Sequence, residues 1–181
     1  MKTMKDISLF TIGGPDLYPF IPEREPISIE TIALGLSNTC HYGGQVRSFY
    51  SVAQHSVVVS QTVPLEFALW GLLHDAAKAW IGDIPTPLRS GMCWQFDGVL
   101  YVIDAVESRI LDHVADTFGL KYGIPREVHE ADMAARVWEQ NSWFICGKNQ
   151  QHWDEVIEPW RPRVAHDIFL DQFENLTKTE T

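Results

Sequence analysis

"LLHDAAKAWIGDIPTPLR", residues 72–89, sets three ionisable side chains, His74, Asp75 and Lys78, into an apolar run with helical spacing. A charge buried without a partner costs several kcal/mol. Either these groups satisfy one another as a hydrogen-bonded core set, or they face a cavity where a ligand satisfies them. Adjacent helical positions are about 100° apart around the axis. His74 and Asp75 can therefore lean toward one point beside the helix, where a metal ion would neutralise the carboxylate and use the imidazole lone pair. Gly82 is a C-cap signal, and Asp83–Gly91, with Pro85 and Pro87, reads as an ordered loop because the prolines cannot continue a helix.

Two protein ligands seldom hold a metal, so the flanking segments matter. Upstream, "SVAQ" from Ser51 has the capping-box arrangement with Gln54 at N3, and predicts a helix ending before Pro64. His55 lies in its first turn, and a short connection to the helix over 64–82 could bring it beside His74. Downstream, Pro125–Cys146 reads as a helix whose apolar half carries Asp132 beside Met133 and Ala134, the same problem as Asp75 with the same solution.

The remaining elements are read from periodicity. Residues 7–21 predict two short strands around a Gly-Gly-Pro-Asp turn, Ser28–Asn38 a short helix, and Thr39–Tyr50 a loop. Val99, Ile103, Val106, Ile110, Val114 and Phe118 predict a long helix from about Gln95 to Phe118, stopped by Gly119. A last helix is expected near Arg163–Leu176. The fold class expected is an all-α helical bundle with a short N-terminal β-hairpin, one domain over residues 1–181.

Composition excludes several classes. The 181 residues are 45% hydrophobic and 21% charged, as in an ordered globule. A net charge of −10 and a pI near 5.0 argue against a nucleic-acid surface, although a metal with a few local cations could still hold a small phosphorylated ligand. The cysteines, Cys40, Cys93 and Cys146, show no close pairing, which points to free thiols in a reducing compartment. No long apolar leader and no membrane-length apolar run is visible. The chain is expected to be cytoplasmic, with no membrane partner.

"YSVAQHS" (residues 50–56), "LLHDAAKAWIGDIPTPLR" and "HEADMAA" (residues 129–135), in that order, resemble the HD-domain phosphohydrolase superfamily, nearest to its small bacterial and phage 5′-deoxynucleotidase-like branch. The resemblance covers roughly residues 29–135. It implies a helical bundle holding one divalent metal ion (Mn, Co, Ni, Fe, Zn or Mg) through His55, His74, Asp75 and Asp132. It implies water attack on a phosphoryl group, with Asp83 a catalytic candidate near the scissile phosphate, sharing the role of base with metal-bound hydroxide, and Arg89 at a basic position that can meet phosphate oxygens. Taken alone, Asp83 also reads as a turn residue, and Arg89 as a solvated loop cation.

The sequence departs from the branch in two places. Lys78 stands where the branch usually has Glu; it is a catalytic candidate that would stabilise phosphate oxygens, or else a snorkelling lysine. His41 stands where the branch commonly shows Arg, and would contact phosphate as imidazolium, without a fixed bidentate fork. His129 reads as a surface residue, while His113, His152 and His166 carry no assigned role. Trp80 or Trp94 could stack on a base, otherwise they are core.

The expected function is hydrolysis of 2′-deoxyribonucleoside 5′-monophosphates to deoxynucleoside and phosphate. The alternatives are a dNTP triphosphohydrolase releasing triphosphate, and a degenerate HD domain that binds a nucleotide or partner without turnover. Hydrolysis of a cyclic or signalling nucleotide ranks behind these, because the signature extensions of those branches are absent. A homodimer or higher homo-oligomer fits the resemblance.

Overall fold

Serine caps set the first helices as expected. Residues 6–96, 98–143 and 157–178 are described by a computed structural model. Helix α1 (Ile29–Asn38) starts where Ser28 Oγ accepts the Thr31 N–H, and α2 (Val52–Thr62) where Ser51 Oγ accepts the Gln54 N–H at 3.1 Å. Gln54 does not close a capping box. Its Nε2 donates to the Glu158 carbonyl and its Oε1 accepts the Trp160 N–H, tying the returning chain to α2.

The single helix expected over 64–82 is broken. A 3₁₀ turn (Leu65–Phe67) leads into α3 (Ala68–Leu73); a tight turn at residues 74–77 follows, then α4 (Lys78–Ile81). Across the break the backbone bonds run three residues apart, Ala76 N–H to Leu73 O, Lys78 N–H to Asp75 O and Ala79 N–H to Ala76 O. His74 Nδ1 takes the Gly71 carbonyl at 2.7 Å, which an unbroken helix would give to Asp75 N–H. Gly82, at φ +77°, closes α4 on the Lys78 carbonyl.

Two expectations about β-structure are corrected. Residues 7–21 form only one antiparallel bridge, Leu9 with Leu17; Pro15 and Pro19 have no N–H to extend a ladder. The hairpin lies instead at β1 (Cys93–Phe96) and β2 (Val99–Val102), inside the span assigned to the long helix. There, alternate residues Trp94 and Tyr101 pair across the strands and pack edge-on to Phe20 at 5.6 and 4.9 Å. Helix α6 therefore begins at Ile103 and runs to Phe118, with Gly119 as its left-handed cap. The loop expected after Asp83 includes one helical turn, α5 (Thr86–Arg89).

Helices α7 (Arg126–Trp143) and α8 (Pro162–Lys178) complete the described architecture; Cys146 and His152 lie outside the described residues. The result is mostly helical with one short two-stranded antiparallel sheet. Helix α2 is central and packs on α1, α3, α7 and α8. Its buried residues meet Leu36 of α1, Leu72 and Leu73 of α3, Ile110 of α6 and Phe169 of α8 in one core. A second apolar cluster, built on Val59, Trp70, Ala115 and Val128, seats α7 against α2 and α3. Helix α1 reaches α4 at Gly35, where a β-carbon would stand 2.6 Å from that of Ala79; only glycine allows this approach. No helix among the described residues is long and apolar enough to cross a membrane, and Cys40 and Cys93 form no disulfide.

Candidate metal centre

The four residues expected as ligands converge. His55 comes from the first turn of α2, His74 and Asp75 from the break between α3 and α4, and Asp132 from the second turn of α7. All four are buried, His55 completely. His55 Nε2 lies 3.0 Å from Asp132 Oδ1 and 4.0 Å from Asp75 Oδ2; His74 Nε2 lies 3.5 Å from Asp75 Oδ2 and 3.9 Å from Asp132 Oδ1. Ligands bonded at about 2.0–2.2 Å to one cation sit roughly 3–3.5 Å from one another. The cluster is close to that spacing before anything is bound.

His74 supplies the clearest sign of a missing partner. Its Nδ1 must donate, because the Gly71 carbonyl only accepts, so in the neutral ring Nε2 presents a lone pair. That Nε2 is buried without a hydrogen-bond partner and faces the carboxylates of Asp75 and Asp132. Burial also lowers the His74 pKa, favouring the neutral ring that a metal needs.

Charge balance points the same way. Burial pushes every carboxylate here upward, but its neighbours win. Lys78 and the histidines hold Asp75 well below the usual range. His55, His74 and Arg136 hold Asp132 at about 2, the His41 hydrogen bond and Lys78 depress Asp83, and His55 depresses Glu139. Lys78 and Arg136 are held protonated by these same acids, against burial. Four carboxylates against two fixed cations leave an excess of two negative charges, which one divalent cation cancels. The buried His and Asp side chains are a donor set that can hold a metal ion.

In the metal-free protein His55 serves as a partial substitute. Burial lowers its pKa, but Glu139 and then Asp132 outweigh this and raise it to about 9. A metal must therefore displace the Nε2 proton. Calorimetric titration with cobalt(II) near neutral pH, repeated in buffers of different ionisation enthalpy, is expected to show about one proton released per metal bound. Apparent affinity should rise about tenfold per pH unit and level off above the His55 pKa of about 9. Affinity that stays flat from the ordinary histidine pKa of about 6.5 up to about 9 would contradict this.

The candidates for substrate contact are placed differently from one another. Lys78 is not a surface lysine: its Nζ bridges Asp75 Oδ2 at 2.9 Å and Asp83 Oδ1 at 2.7 Å, in a side chain 6% exposed. Asp83 Oδ2 accepts from His41 Nδ1 at 2.9 Å and from Gly43 N–H. His41 is buried, and burial lowers its pKa, so it is a neutral ring and not the expected imidazolium. Arg89 ion-pairs with Asp104 and, at 2.6 Å, with Glu107, which engages the charge expected to meet phosphate. A cavity of about 390 Å³ opens beside the cluster, lined by His41, Lys78, Asp83, Arg89, Arg136 and Gln140 among others. This is within the range for small-molecule sites. A groove of about 460 Å³ between α2 and α7, walled by Val58, Ala131 and Trp138, holds no titratable group. Trp80 donates to Thr11 Oγ1 and Trp94 packs on Phe20, so neither stands in the cavity wall as a base platform.

Two residues that sequence reasoning passed over complete the site. Arg136 grips Asp132 through Nε to Oδ1 and Nη2 to Oδ2, both at 2.8 Å, and reaches the cavity wall. Glu139 is fully buried and accepts from Tyr42 Oη, from Tyr50 Oη at 2.6 Å and from His55 Nδ1 at 2.7 Å. Their signal was spacing: they stand one and two helical turns after Asp132, on the face that Asp132 turns inward.

Fold and site together define a mostly helical protein with a buried histidine–carboxylate cluster able to hold a metal ion. The chain belongs to the family of the uncharacterized protein YfdR of Escherichia coli, to which it is 31% identical over 179 residues, covering 93% of this chain and 94% of that one. It is also similar to the uncharacterized protein RCAP_rcc00048 of Rhodobacter capsulatus, 32% identical over 133 residues, covering 68% of this chain and 64% of that protein. No known family profile matches the chain.

Proposed function

We propose that the protein is a metal-dependent phosphohydrolase of the HD-domain superfamily, acting on nucleotides, with 2′-deoxyribonucleoside 5′-monophosphates as leading substrates. The observation that carries this reading is the meeting of His55, His74, Asp75 and Asp132 beside a cavity walled by the cations Lys78 and Arg136. His55, His74, Asp75 and Asp132 would hold a divalent metal, which would supply Lewis-acid activation of a water molecule and a phosphoryl oxygen.

The chain's own residues do the rest. Lys78, kept protonated by Asp75 and Asp83, cannot be a base; its role is to meet charge that develops on phosphoryl oxygens. Arg136 offers a planar guanidinium to the same anion while holding Asp132. Asp83 fixes the Lys78 ammonium and the His41 ring, and its depressed pKa makes it a poor proton acceptor. Neither Lys78 nor Asp83 is therefore suited to take a proton from water. Arg89 supports the cavity wall from its pairs with Asp104 and Glu107.

Product analysis tests the proposal. Protein loaded separately with manganese, cobalt or magnesium is incubated with deoxynucleoside mono-, di- and triphosphates. Orthophosphate and deoxynucleoside from the monophosphates support the leading reading. Inorganic triphosphate identifies the triphosphohydrolase alternative, and metal-dependent nucleotide binding without product leaves the non-hydrolytic HD domain. A protein that binds neither metal nor nucleotide overturns all three.

A further inference from the structure

We infer that Glu139 is a positioning residue for His55: its carboxylate takes the Nδ1 proton from behind the ring and so commits Nε2 to the metal. This rests on the reading of His55 as a ligand. Glu139 touches none of the other three expected ligands and does not line the cavity. A fully buried carboxylate far from solvent needs a specific reason to be there.

The hydrogen-bond inventory supplies the reason. An ionised carboxylate only accepts, so Tyr42 Oη, Tyr50 Oη and His55 Nδ1 must all donate to it. With the Nδ1 proton so engaged, the remaining lone pair of the neutral His55 ring is on Nε2, the atom facing Asp132 and Asp75. His74 is oriented in the same sense, Nδ1 outward to the Gly71 carbonyl and Nε2 inward. The two rings differ in what stands behind them: a neutral carbonyl for His74, a charge for His55. A carboxylate behind an imidazole raises its basicity as a ligand, and loss of such a partner typically costs 10–100-fold in metal affinity.

Glu139 also has a second reach. Oε1 serves His55 and Tyr50, while Oε2 holds Tyr42, the residue at φ +57° that shapes the turn over the cavity. The structural alternative is that Glu139 merely fills and neutralises a polar pocket, with no hold on the metal.

The experiment measures cobalt(II) affinity for the full chain and its Glu139→Gln and Tyr42→Phe variants, beside the melting temperature of each metal-free form. Glu139→Gln removes the charge behind the ring, and its amide nitrogen cannot accept in place of the carboxylate oxygen it replaces. A fall of about 10–100-fold is expected in the cobalt(II) affinity of the high-pH plateau, where the His55 proton no longer competes. Tyr42→Phe also removes a bond to Glu139 but leaves the His55 contact, and should lose less than about tenfold. Equal losses in both, or affinity unchanged in Glu139→Gln, would overturn the inference while leaving the metal site standing. Should Glu139→Gln not fold, a long-range proton–nitrogen correlation spectrum of the zinc-loaded wild type decides. Nδ1 of His55 protonated with Nε2 shifted by the metal supports the inference, and coordination through Nδ1 overturns it. Wild type that binds no cobalt(II) removes the ligand reading and this inference together.

Discussion

In protein titrated with cobalt(II), His74→Ala is expected to lower affinity well beyond the roughly 100-fold that marks loss of an outer partner, and to abolish any metal-dependent phosphate release. The reason lies in how little else His74 does. Its Nδ1 bond to Gly71 is worth about 1 kcal/mol, and its Nε2 makes no hydrogen bond. The metal-free variant should therefore melt near the metal-free wild type. What disappears is the rise in melting temperature on adding metal, since a ligand stabilises only what binds it. If His74→Ala retains that rise, the four-residue centre is wrong. The same substitution at Asp132 is a poorer test, because it also strands His55 and Arg136.

Lys78→Met is expected to be the most destabilising single change in the site, by about 3–5 kcal/mol in the metal-free protein. Its methylene stem is reproduced, but the cation between Asp75 and Asp83 is gone, leaving two buried carboxylates with their strongest neutraliser removed. The pH dependence carries the signature. In the wild type both carboxylates titrate below the ordinary 3.8, so their contribution to stability is fully present above that value and lost as pH falls beneath it. In the variant the same groups are destabilised as anions, their pKa values rise, and proton uptake on acidification relieves the strain. The gap between wild type and Lys78→Met, followed by chemical denaturation, should thus narrow from pH 7 toward the 3.8 of an ordinary aspartate. A gap that stays constant would mean that the ammonium is dispensable to the pair.

The parts of the molecule legible in the sequence are those fixed by local chemistry. Ser28 and Ser51 announce their helices because a cap bonds a neighbour three residues on. The candidate metal-binding side chains stand out because charged groups inside apolar helical runs are rare without a purpose. Helix α6 from Ile103 onward follows its own periodicity. What was hidden depends on long-range partners. Val99 falls by accident one helical turn before Ile103, which disguised a strand pairing decided by Phe20, more than seventy residues upstream of Trp94. At the break the His74 ring bonds the Gly71 carbonyl, and no periodicity reports that. The His41–Asp83 pair joins residues 42 apart. Glu139 was within reach of a spacing argument, but a glutamate two turns from Asp132 looks like a solvated helix face until Tyr42, Tyr50 and His55 are seen to converge on it.

The contact at Gly35 bears on how such a centre can change over generations. Ala79 rests against α1 with no room for another atom at Gly35, and it follows directly on the lysine whose ammonium bridges two acids. A side chain at residue 35 would push α4 away from α1 and carry the Lys78 backbone with it. Drift at a position with no side chain and no chemistry of its own would be felt as misplaced charge at the cavity wall.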